Sequence, residues 1–350
     1  MTATTALQTR MTLDKAAEYL RRRQDDDGLW RDFATPFGFS ADWVTGCVLR
    51  SLAGVPGTED CVARGATALL QRQRPNGGWG FNENVPTDCD STVWALLGLL
   101  AVERAPESTV DAARGYLEAH RDATTGGFSV YTDADEIDTS FGLEPDFVHG
   151  WKQPAHCVTA AVVQALLACG GTPELLVRQA VRYLLDAQRP DGSWTSYWWH
   201  DAAYPTLHAV TALVAGGASR PEALERCVAL LVSRQEPSGA WATPMAPDGH
   251  PFATACHLEA LLAQPTTSAA AAAAERAAAW LREAQNPDGG WTPYPIMRIP
   301  MPNTVDPAEV TDWYFDEEML PVVLRDANGL YTTAAAVHAL RTAVAREESR

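Results

Sequence analysis

The sequence predicts an all-α fold, an (α/α)6 toroid in which six inner helices form a barrel inside six outer helices. A turn motif running from Gln to an aromatic residue recurs along the chain, an amphipathic segment precedes each copy, and a more apolar segment follows it. A helix that is apolar on nearly all sides must be buried, whereas a helix with one apolar stripe can face water. Six alternations of the two kinds therefore predict a double ring with hardly any strands, formed by residues 1–350 as one domain.

The recurring motif combines Gln, a turn such as Pro-Asp-Gly or Pro-Asn-Gly, and an aromatic residue. Its aromatic members are Trp30, Trp79, Phe128, Trp194, Trp241 and Trp291, which gives a period near 50 residues. The copy that ends at Phe128 is degenerate and has His120 in place of the Gln. Pro and Gly end the preceding helix at the turn. We expect the Gln to cap neighbouring backbone and the aromatic ring to fill the gap between outer helices. The motifs are therefore predicted to hold the toroid together and not to carry chemistry.

The inner helices are predicted to begin near Ser40, Asp88, Gln153, Tyr204, Phe252 and Leu330. At the second of them, Asp88 and Asp90 stand two residues apart. The unpaired N–H groups and positive dipole of a helix N-terminus stabilise a carboxylate, while a neighbouring carboxylate holds one proton on the pair. An acid that is strong and yet protonated at rest is what protonation of an alkene requires. The structural alternative is that Asp88 caps the helix and Asp90 complements its dipole.

Composition excludes several classes of partner. The chain has 350 residues, 46% of them hydrophobic, and a formal net charge of −17, which disfavours nucleic acids and anionic membrane surfaces. Its seven cysteines are odd in number and scattered, as expected of reduced thiols in a cytoplasmic protein. No apolar run is long enough to span a bilayer, and the first residues lack the apolar core of a signal peptide.

The repeats resemble the QW motifs of squalene–hopene and oxidosqualene cyclases, the class II (protonation-initiated) terpene cyclases. The segment Gly77–Thr92 resembles the one that carries the Asp-x-Asp-Asp-Thr motif of these enzymes. The resemblance implies that Asp90 is the proton donor and that Asp88 tunes it. It covers their catalytic β-type barrel and not their second, α-type barrel. A short substrate, a meroterpenoid, or a pocket completed by a second copy or a partner subunit is therefore expected more than free squalene.

The sequence departs from the family pattern around the acid. Ser91 stands where the third Asp is expected. The segment Cys157–Ala161 resembles an Asp-Val-Thr-Ala-His segment, so that Cys157 replaces an Asp and Ala161 replaces the His that supports the acid. His156 stands one residue before this segment. We therefore take Ser91, His156 and Cys157 as the candidate supports of the acid, which is either held differently or serves a different reaction.

Aromatic residues cluster around the starts of the inner helices. Aromatic faces stabilise cations without trapping them as a nucleophile would, which suits a carbocation cascade. The alternative is that these rings simply pack the loops. The residues predicted to bind the substrate and stabilise the cation are Phe39, Trp43, Trp94, Trp198, Trp199, Tyr204, Phe252, Trp313 and Tyr331.

No metal is assigned from the sequence. Mg²⁺ is a candidate cofactor only if the substrate carries a diphosphate. The acidic loop with Asp133, Asp135, Glu136 and Asp138 could then hold it, although a solvated loop is the simpler interpretation. Zinc-dependent protein prenyltransferase β-subunits share the toroid. Their ligands would correspond here to Cys89 with Asp88 or Asp90 and with His156 or His208, at a spacing that does not match.

Two further hypotheses concern function and partners. A toroid that kept its fold and lost catalysis would be a binding module, and the changes at Ser91 and Ala161 are compatible with it. The expected partner is a small isoprenoid molecule.

Overall fold

The computed structural model describes residues 3–35, 37–217, 220–264, 267–317 and 319–348, and helices dominate it. The outer helices are α1 (Ala3–Arg22), α3 (Glu59–Arg72), α5 (Glu107–Ala119), α8 (Glu174–Asp186), α10 (Pro221–Arg234) and α12 (Ser268–Glu283). The inner helices are α2 (Asp42–Leu52), α4 (Cys89–Ala101), α7 (His156–Cys169), α9 (Ala203–Ala215), α11 (Pro251–Leu262) and α13 (Leu330–Glu348). A short helix, α6 (Ile137–Phe141), lies in the third repeat.

The inner helices form a closed ring. Each packs against the next, in the order α2, α4, α7, α9, α11 and α13, and α13 packs back against α2. Burial separates the two kinds of helix, since nine of the 13 residues of α4 are buried but only four of the 13 of α5. The predicted toroid of six inner and six outer helices is confirmed. None of the helices in the described part of the chain is long and apolar enough to cross a membrane.

The QW motifs connect neighbouring outer helices through hydrogen bonds. In the first repeat, Gln24 Nε2 donates to the carbonyl of Gly28, in its own turn, and to that of Cys61 in α3, both at 2.8 Å. Four further motifs make the same pair of bonds from Gln73, Gln188, Gln235 and Gln285. The last of these reaches the carbonyl of Thr12 in α1, so that hydrogen bonds close the outer ring as well.

The glycine of each motif lets one outer helix approach the next turn closely. Gly77 has a φ of 92°, and a Cβ atom there would lie 2.3 Å from the carbonyl oxygen of Ala112 in α5. The third repeat differs because His120 takes the place of the Gln. Its Nδ1 lies 2.8 Å from the carbonyl oxygen of Tyr116, and its Nε2 lies 3.0 Å from Asp135 Oδ2. In this repeat His120 therefore holds its own loop, and the bond to the following outer helix comes instead from Arg121, which donates to Gln179 Oε1 in α8.

The strands are short, in keeping with the expectation of hardly any. A hairpin pairs β1 (Asp32–Thr35) with β2 (Gly38–Ser40), and β3 (Trp79–Gly80) pairs antiparallel with β4 (Thr87–Asp88). The third sheet has the order β5 (Met297–Ile299), β7 (Val322–Leu324), β6 (Tyr314–Phe315). Because Trp79 pairs with Asp88, the second motif is bonded directly to the start of α4.

Helices α2 and α4 are in backbone contact. A Cβ atom on Gly46 would lie 2.1 Å from the carbonyl oxygen of Trp94, and one on Gly98 would lie 2.4 Å from the carbonyl oxygen of Gly46. Only residues without a side chain permit so close an approach. These two glycines therefore fix the position of α4, and of the carboxylates at its start, relative to the rest of the ring.

Candidate active site

A threonine in every inner helix gives the six repeats a common register. In the second repeat the backbone N–H of Trp79 donates to Thr92 Oγ1 at 2.9 Å. The equivalent bonds in the other repeats end on Thr45, Thr159, Thr206, Thr254 and Thr333. Residues at the same distance from this threonine are therefore equivalent around the toroid.

The residues two positions before these threonines form one layer of the lumen. They are Trp43, Asp90, Cys157, Tyr204, Phe252 and Tyr331. Asp90 thus occupies a position at which four of the other five repeats place an aromatic ring. Residues four and seven positions further along an inner helix lie on the same face, one and two turns deeper. The helix periodicity therefore stacks three layers of side chains along the lumen.

A cavity opens beside this first layer and contains the carboxylates. It holds about 790 Å³ of empty space, counted out to its open mouth. Asp88, Asp90, Ser91 and Thr35 are its polar lining. The rest of the wall is apolar or aromatic: Phe37, Trp43, Phe81, Val85, Trp94, Val130, Tyr131, Phe141, Trp151, Trp198, Trp199, Tyr204, Met297 and Ile299.

Asp88 is the N-cap of α4 and is fixed by Ser91. Its Oδ1 accepts a hydrogen bond from the Ser91 N–H at 2.7 Å, and its Oδ2 accepts one from the Ser91 hydroxyl at 2.6 Å. Burial raises the pKa of Asp88 to about 7, although the two Ser91 bonds oppose this shift. Because both bonds stabilise the anion, Asp88 is the better place for the negative charge of the pair.

Asp90 lies in the first turn of α4 and lines the cavity. Burial, followed by the negative charge of Asp88, raises its pKa to about 8. Its Oδ1 is buried and makes no hydrogen bond within the part of the chain that the structure describes. No hydrogen bond from the described residues therefore stabilises an Asp90 anion at Oδ1 in the way that the two Ser91 bonds stabilise the anion of Asp88. At neutral pH the shared proton is expected on Asp90, and a protonated carboxyl group faces an apolar chamber.

The three candidate supports of the acid are placed differently. Ser91 contacts Asp88 directly, through the two bonds above. Cys157 is buried in the first layer, on the inner helix next to α4, and the pKa of its thiol is raised by burial and then by Asp90. His156 instead faces Thr195 and the ring of Tyr183, and the structure does not bring it to the carboxylates. In the described residues Ser91 thus contacts the pair directly, whereas His156 does not.

Five of the nine predicted aromatic residues line the cavity: Trp43, Trp94, Trp198, Trp199 and Tyr204. Four lie elsewhere. Phe252 and Tyr331 belong to the first layer but lie behind Trp199, with ring centroids 5.6 Å and 5.5 Å from it. Phe39 lies on the hairpin strand β2 and is 47% exposed. Trp313 packs against Arg298, whose guanidinium carbon lies 5.5 Å from the centre of the Trp313 ring. These four residues do not line the cavity that contains Asp90, so the cavity gives no support to their predicted direct contact with the substrate.

Sequence reasoning missed five aromatic lining residues: Phe37, Phe81, Tyr131, Phe141 and Trp151. Phe81 directly follows the Trp79-Gly80 pair of a QW motif, which could have marked it. Tyr131, Phe141 and Trp151 come from the insertion of the third repeat, whose aromatic content is visible in the sequence. Their positions depend on how the insertion folds over the mouth of the cavity. The insertion is not part of the repeated pattern, so the pattern does not predict its conformation.

Two of the four carboxylates of the acidic loop are paired within the protein. Asp135 is buried and accepts hydrogen bonds from Thr132 and Tyr116 as well as pairing with His120, while Asp133 pairs with Lys152 at 2.8 Å. Of the candidate zinc ligands, His208 bonds to Gln164 and Cys89 is buried. No group of three or more His, Cys, Asp or Glu side chains among the described residues is arranged to hold a metal ion. The candidate zinc ligands therefore do not form a metal-binding cluster among the described residues.

Comparison with known proteins agrees with this geometry. The model of the squalene-hopene cyclase C-terminal domain matches residues 1–141 and 220–294, more than half of the chain. Drimenyl diphosphate synthase from Streptomyces showdoensis is 33% identical over 154 residues, which are 43% of this chain and 25% of that protein. The matches span less than a third of the length of this and the next curated relative.

Solved structures match almost the whole chain. A protein from Actinoplanes is 33% identical, with a TM-score of 0.87, over 96% of this chain and 99% of its own. A variant of the type II terpene cyclase MstE from Scytonema, in complex with its substrate geranylgeranyl dihydroxybenzoate, is 29% identical. Its TM-score is 0.89, over 99% of this chain and 100% of its own. The chain therefore belongs to the squalene-hopene cyclase C-terminal domain family, within the class II terpene cyclases.

Proposed function

We propose that the chain cyclises a prenyl substrate by protonating an alkene, with Asp90 as the acid. The observation that carries this proposal is the environment of Asp90, a carboxyl group with a pKa of about 8 at the wall of an apolar, aromatic chamber. A group that keeps its proton at neutral pH, and whose partner carboxylate is stabilised by Ser91, is prepared to act as a general acid.

The chemical step is a transfer of one proton. The Asp90 O–H bond breaks, the π electrons of the alkene form a C–H bond, and the positive charge develops on the other alkene carbon. Further alkenes of the same chain attack in turn, so that each ring closure moves the cation along. The final cation loses a proton to water and Asp90 regains one from water, which closes the cycle. The two Ser91 bonds favour the anion of Asp88, so that a pair carrying one proton holds it on Asp90.

The walls of the cavity suit the intermediates. Trp43, Trp199 and Tyr204 line the cavity together, with Trp43 edge-on to Trp199 and Trp199 stacked on Tyr204. A cation beside this cluster is stabilised by the electron-rich rings. Water competes with ring closure as a nucleophile, so an apolar lining favours cyclisation. The same residues that exclude water thereby stabilise the cation.

The substrate class is proposed from the relatives. MstE binds geranylgeranyl dihydroxybenzoate and matches the chain over its whole length, whereas drimenyl diphosphate synthase matches less than half of it. We therefore place a prenylated aromatic molecule first and a prenyl diphosphate second. Two predictions stay predictions: that a second copy or another subunit completes the pocket, and that residues 1–350 form a single domain.

The test is product formation with matched variants. The protein is incubated with geranylgeranyl dihydroxybenzoate, farnesyl and geranylgeranyl diphosphates and squalene, with and without Mg²⁺. Asp90→Asn keeps the shape of the side chain and removes the acid, and Asp186→Asn makes the same change on the exposed face of α8 as a control. We expect a cyclised product from the wild type and from Asp186→Asn, and none from Asp90→Asn. Product from Asp90→Asn, or none from any polyene, contradicts the proposal.

A further inference from the structure

A second cavity lies deeper in the lumen, beyond the chamber that contains the acid. It holds about 410 Å³ of empty space, counted out to its opening. Its upper wall is mostly apolar and includes Leu207, Phe252, Cys256, Tyr331 and Ala335. Its far end is polar, with Arg50, Glu259 and His338, and His338 Nδ1 lies 2.9 Å from Glu259 Oε2. These polar residues belong to the third layer, two helical turns below Asp90.

Two side chains separate the cavities. Trp94 and Tyr204 line both of them, and both are buried. The indole N–H of Trp94 donates to the hydroxyl oxygen of Tyr204 at 3.0 Å. The two residues come from inner helices on opposite sides of α7, so their contact spans part of the lumen.

Neighbouring rings hold this pair in place. Trp199 stacks on Tyr204 with a centroid distance of 3.9 Å and an interplanar angle of 13°. On the deeper side, the ring of His208 lies 4.2 Å from that of Tyr204 and 5.1 Å from that of Trp94. A ring held on both faces and by a hydrogen bond has little freedom to rotate, because every alternative rotamer loses these contacts.

We propose that the Trp94–Tyr204 pair is a partition that sets the length of prenyl chain the site accepts. This inference rests on the proposed function, since it assigns the prenyl tail of the substrate to the first cavity, which contains Asp90. The prenyl chain of the substrate would end against Trp94 and Tyr204, beside Asp90, the acid that starts the cascade. The apolar upper wall of the second cavity could hold further isoprene units if the partition were removed, up to the polar residues at its far end.

The experiment measures binding and not turnover, so that it does not depend on catalysis. The probes are saturated isoprenoid alcohols of ten to thirty carbons, and the readout is their dissociation constants from the wild type and from Tyr204→Ala and Trp94→Ala. Tyr204→Phe is the matched control, because it removes the hydroxyl group and keeps the ring. Trp94→Leu, which keeps an apolar side chain, serves as a second variant if an alanine variant does not fold.

In the wild type, affinity should rise with each isoprene unit up to a cut-off length and then stop rising or fall. Tyr204→Ala and Trp94→Ala should move the cut-off by at least one isoprene unit, with about a tenfold gain for the next longer alcohol relative to the wild type. Tyr204→Phe should keep the cut-off of the wild type. An unchanged cut-off in both alanine variants overturns the partition alone. A wild type that binds none of the alcohols overturns the proposed function as well.

Discussion

Ser91→Ala tests how the carboxylate pair shares its proton. The substitution removes the hydroxyl that donates to Asp88 Oδ2 at 2.6 Å and leaves the backbone bond to Oδ1 in place. A hydrogen bond to a charged group contributes about 1.5–3 kcal/mol. Its loss should raise the pKa of Asp88 by about one to two units, because one unit corresponds to about 1.4 kcal/mol.

The consequence for activity follows from the two pKa values. With Asp88 at about 7 and Asp90 at about 8, the proton resides on Asp90 in roughly nine-tenths of the molecules that carry one proton on the pair. If the pKa of Asp88 rises by one to two units, this fraction falls to between about one-half and one-tenth. We therefore expect kcat to fall about two- to tenfold at the pH values at which the pair carries a single proton, and to change little at lower pH, where both carboxyl groups are protonated.

The assay is the pH–rate profile of the wild type, Ser91→Ala and Ser91→Thr. The wild-type rate should fall as pH rises through about 8, because Asp90 then loses its proton. Ser91→Thr keeps a hydroxyl group and should retain most of the activity. A Ser91→Ala enzyme with the wild-type profile, or a threonine variant as impaired as the alanine variant, would refute this account of the pair.

Three further predictions concern stability. Gly46→Ala should lower the free energy of unfolding in urea by about 2 kcal/mol or more, because its Cβ would lie 2.1 Å from the Trp94 carbonyl oxygen. The control is Gly115→Ala in α5, where a Cβ would meet open space, and this variant should be as stable as the wild type or more stable. Gln285→Ala removes the bonds to Gly289 and Thr12 and should cost about 1–3 kcal/mol in the same assay, and an unchanged midpoint would show that they do not hold the ring closed. The folded-state pKa of Asp90 is raised, so its contribution to stability is fully present below the unfolded pKa of about 4 and is lost as pH rises through about 8. Thermal melts should therefore show Asp90→Asn to be more stable than the wild type at pH 8.5 by a few degrees or more, and equal melting temperatures at that pH would contradict the raised pKa.

The fold could be predicted because its repeats leave local signatures. A turn with a positive φ requires Gly, as at Gly77, and a buried ring between helices requires a large aromatic residue, as at Trp79. These demands recur in each repeat and so appear in the sequence with a period. The starts of the inner helices were predicted to within about three residues for the same reason.

The first layer was also present in the sequence, in the residues two positions before each threonine. Trp43, Tyr204, Phe252 and Tyr331 were singled out as aromatic residues near the starts of inner helices. Cys157 was singled out as a candidate support of the acid, and the register that the five share was not recognised. What the sequence did not show is which of them share a chamber with Asp90. That depends on Trp199, which comes from a loop and covers Phe252 and Tyr331.

The cause of the raised pKa values was only partly predictable. From the sequence, the proton was assigned to the pair by the repulsion between two carboxylates at a helix start. In the structure burial is the largest cause for both groups, and the charge of Asp88 comes second for Asp90. The carboxylates share their cavity with rings from the third and fourth repeats, including Tyr131, Trp198 and Trp199. The sequence of α4 alone does not show that these rings lie beside its first turn.

The most direct test of the central claim is the source of the hydrogen that starts the reaction. The wild type and Asp90→Asn are each incubated with geranylgeranyl dihydroxybenzoate in heavy water, and the cyclised product is analysed by mass spectrometry after back-exchange of labile hydrogens. If Asp90 protonates the alkene, the wild-type product carries one deuterium bound to carbon, and Asp90→Asn gives no product. A cyclised product without deuterium, or one still formed by Asp90→Asn, would contradict the claim.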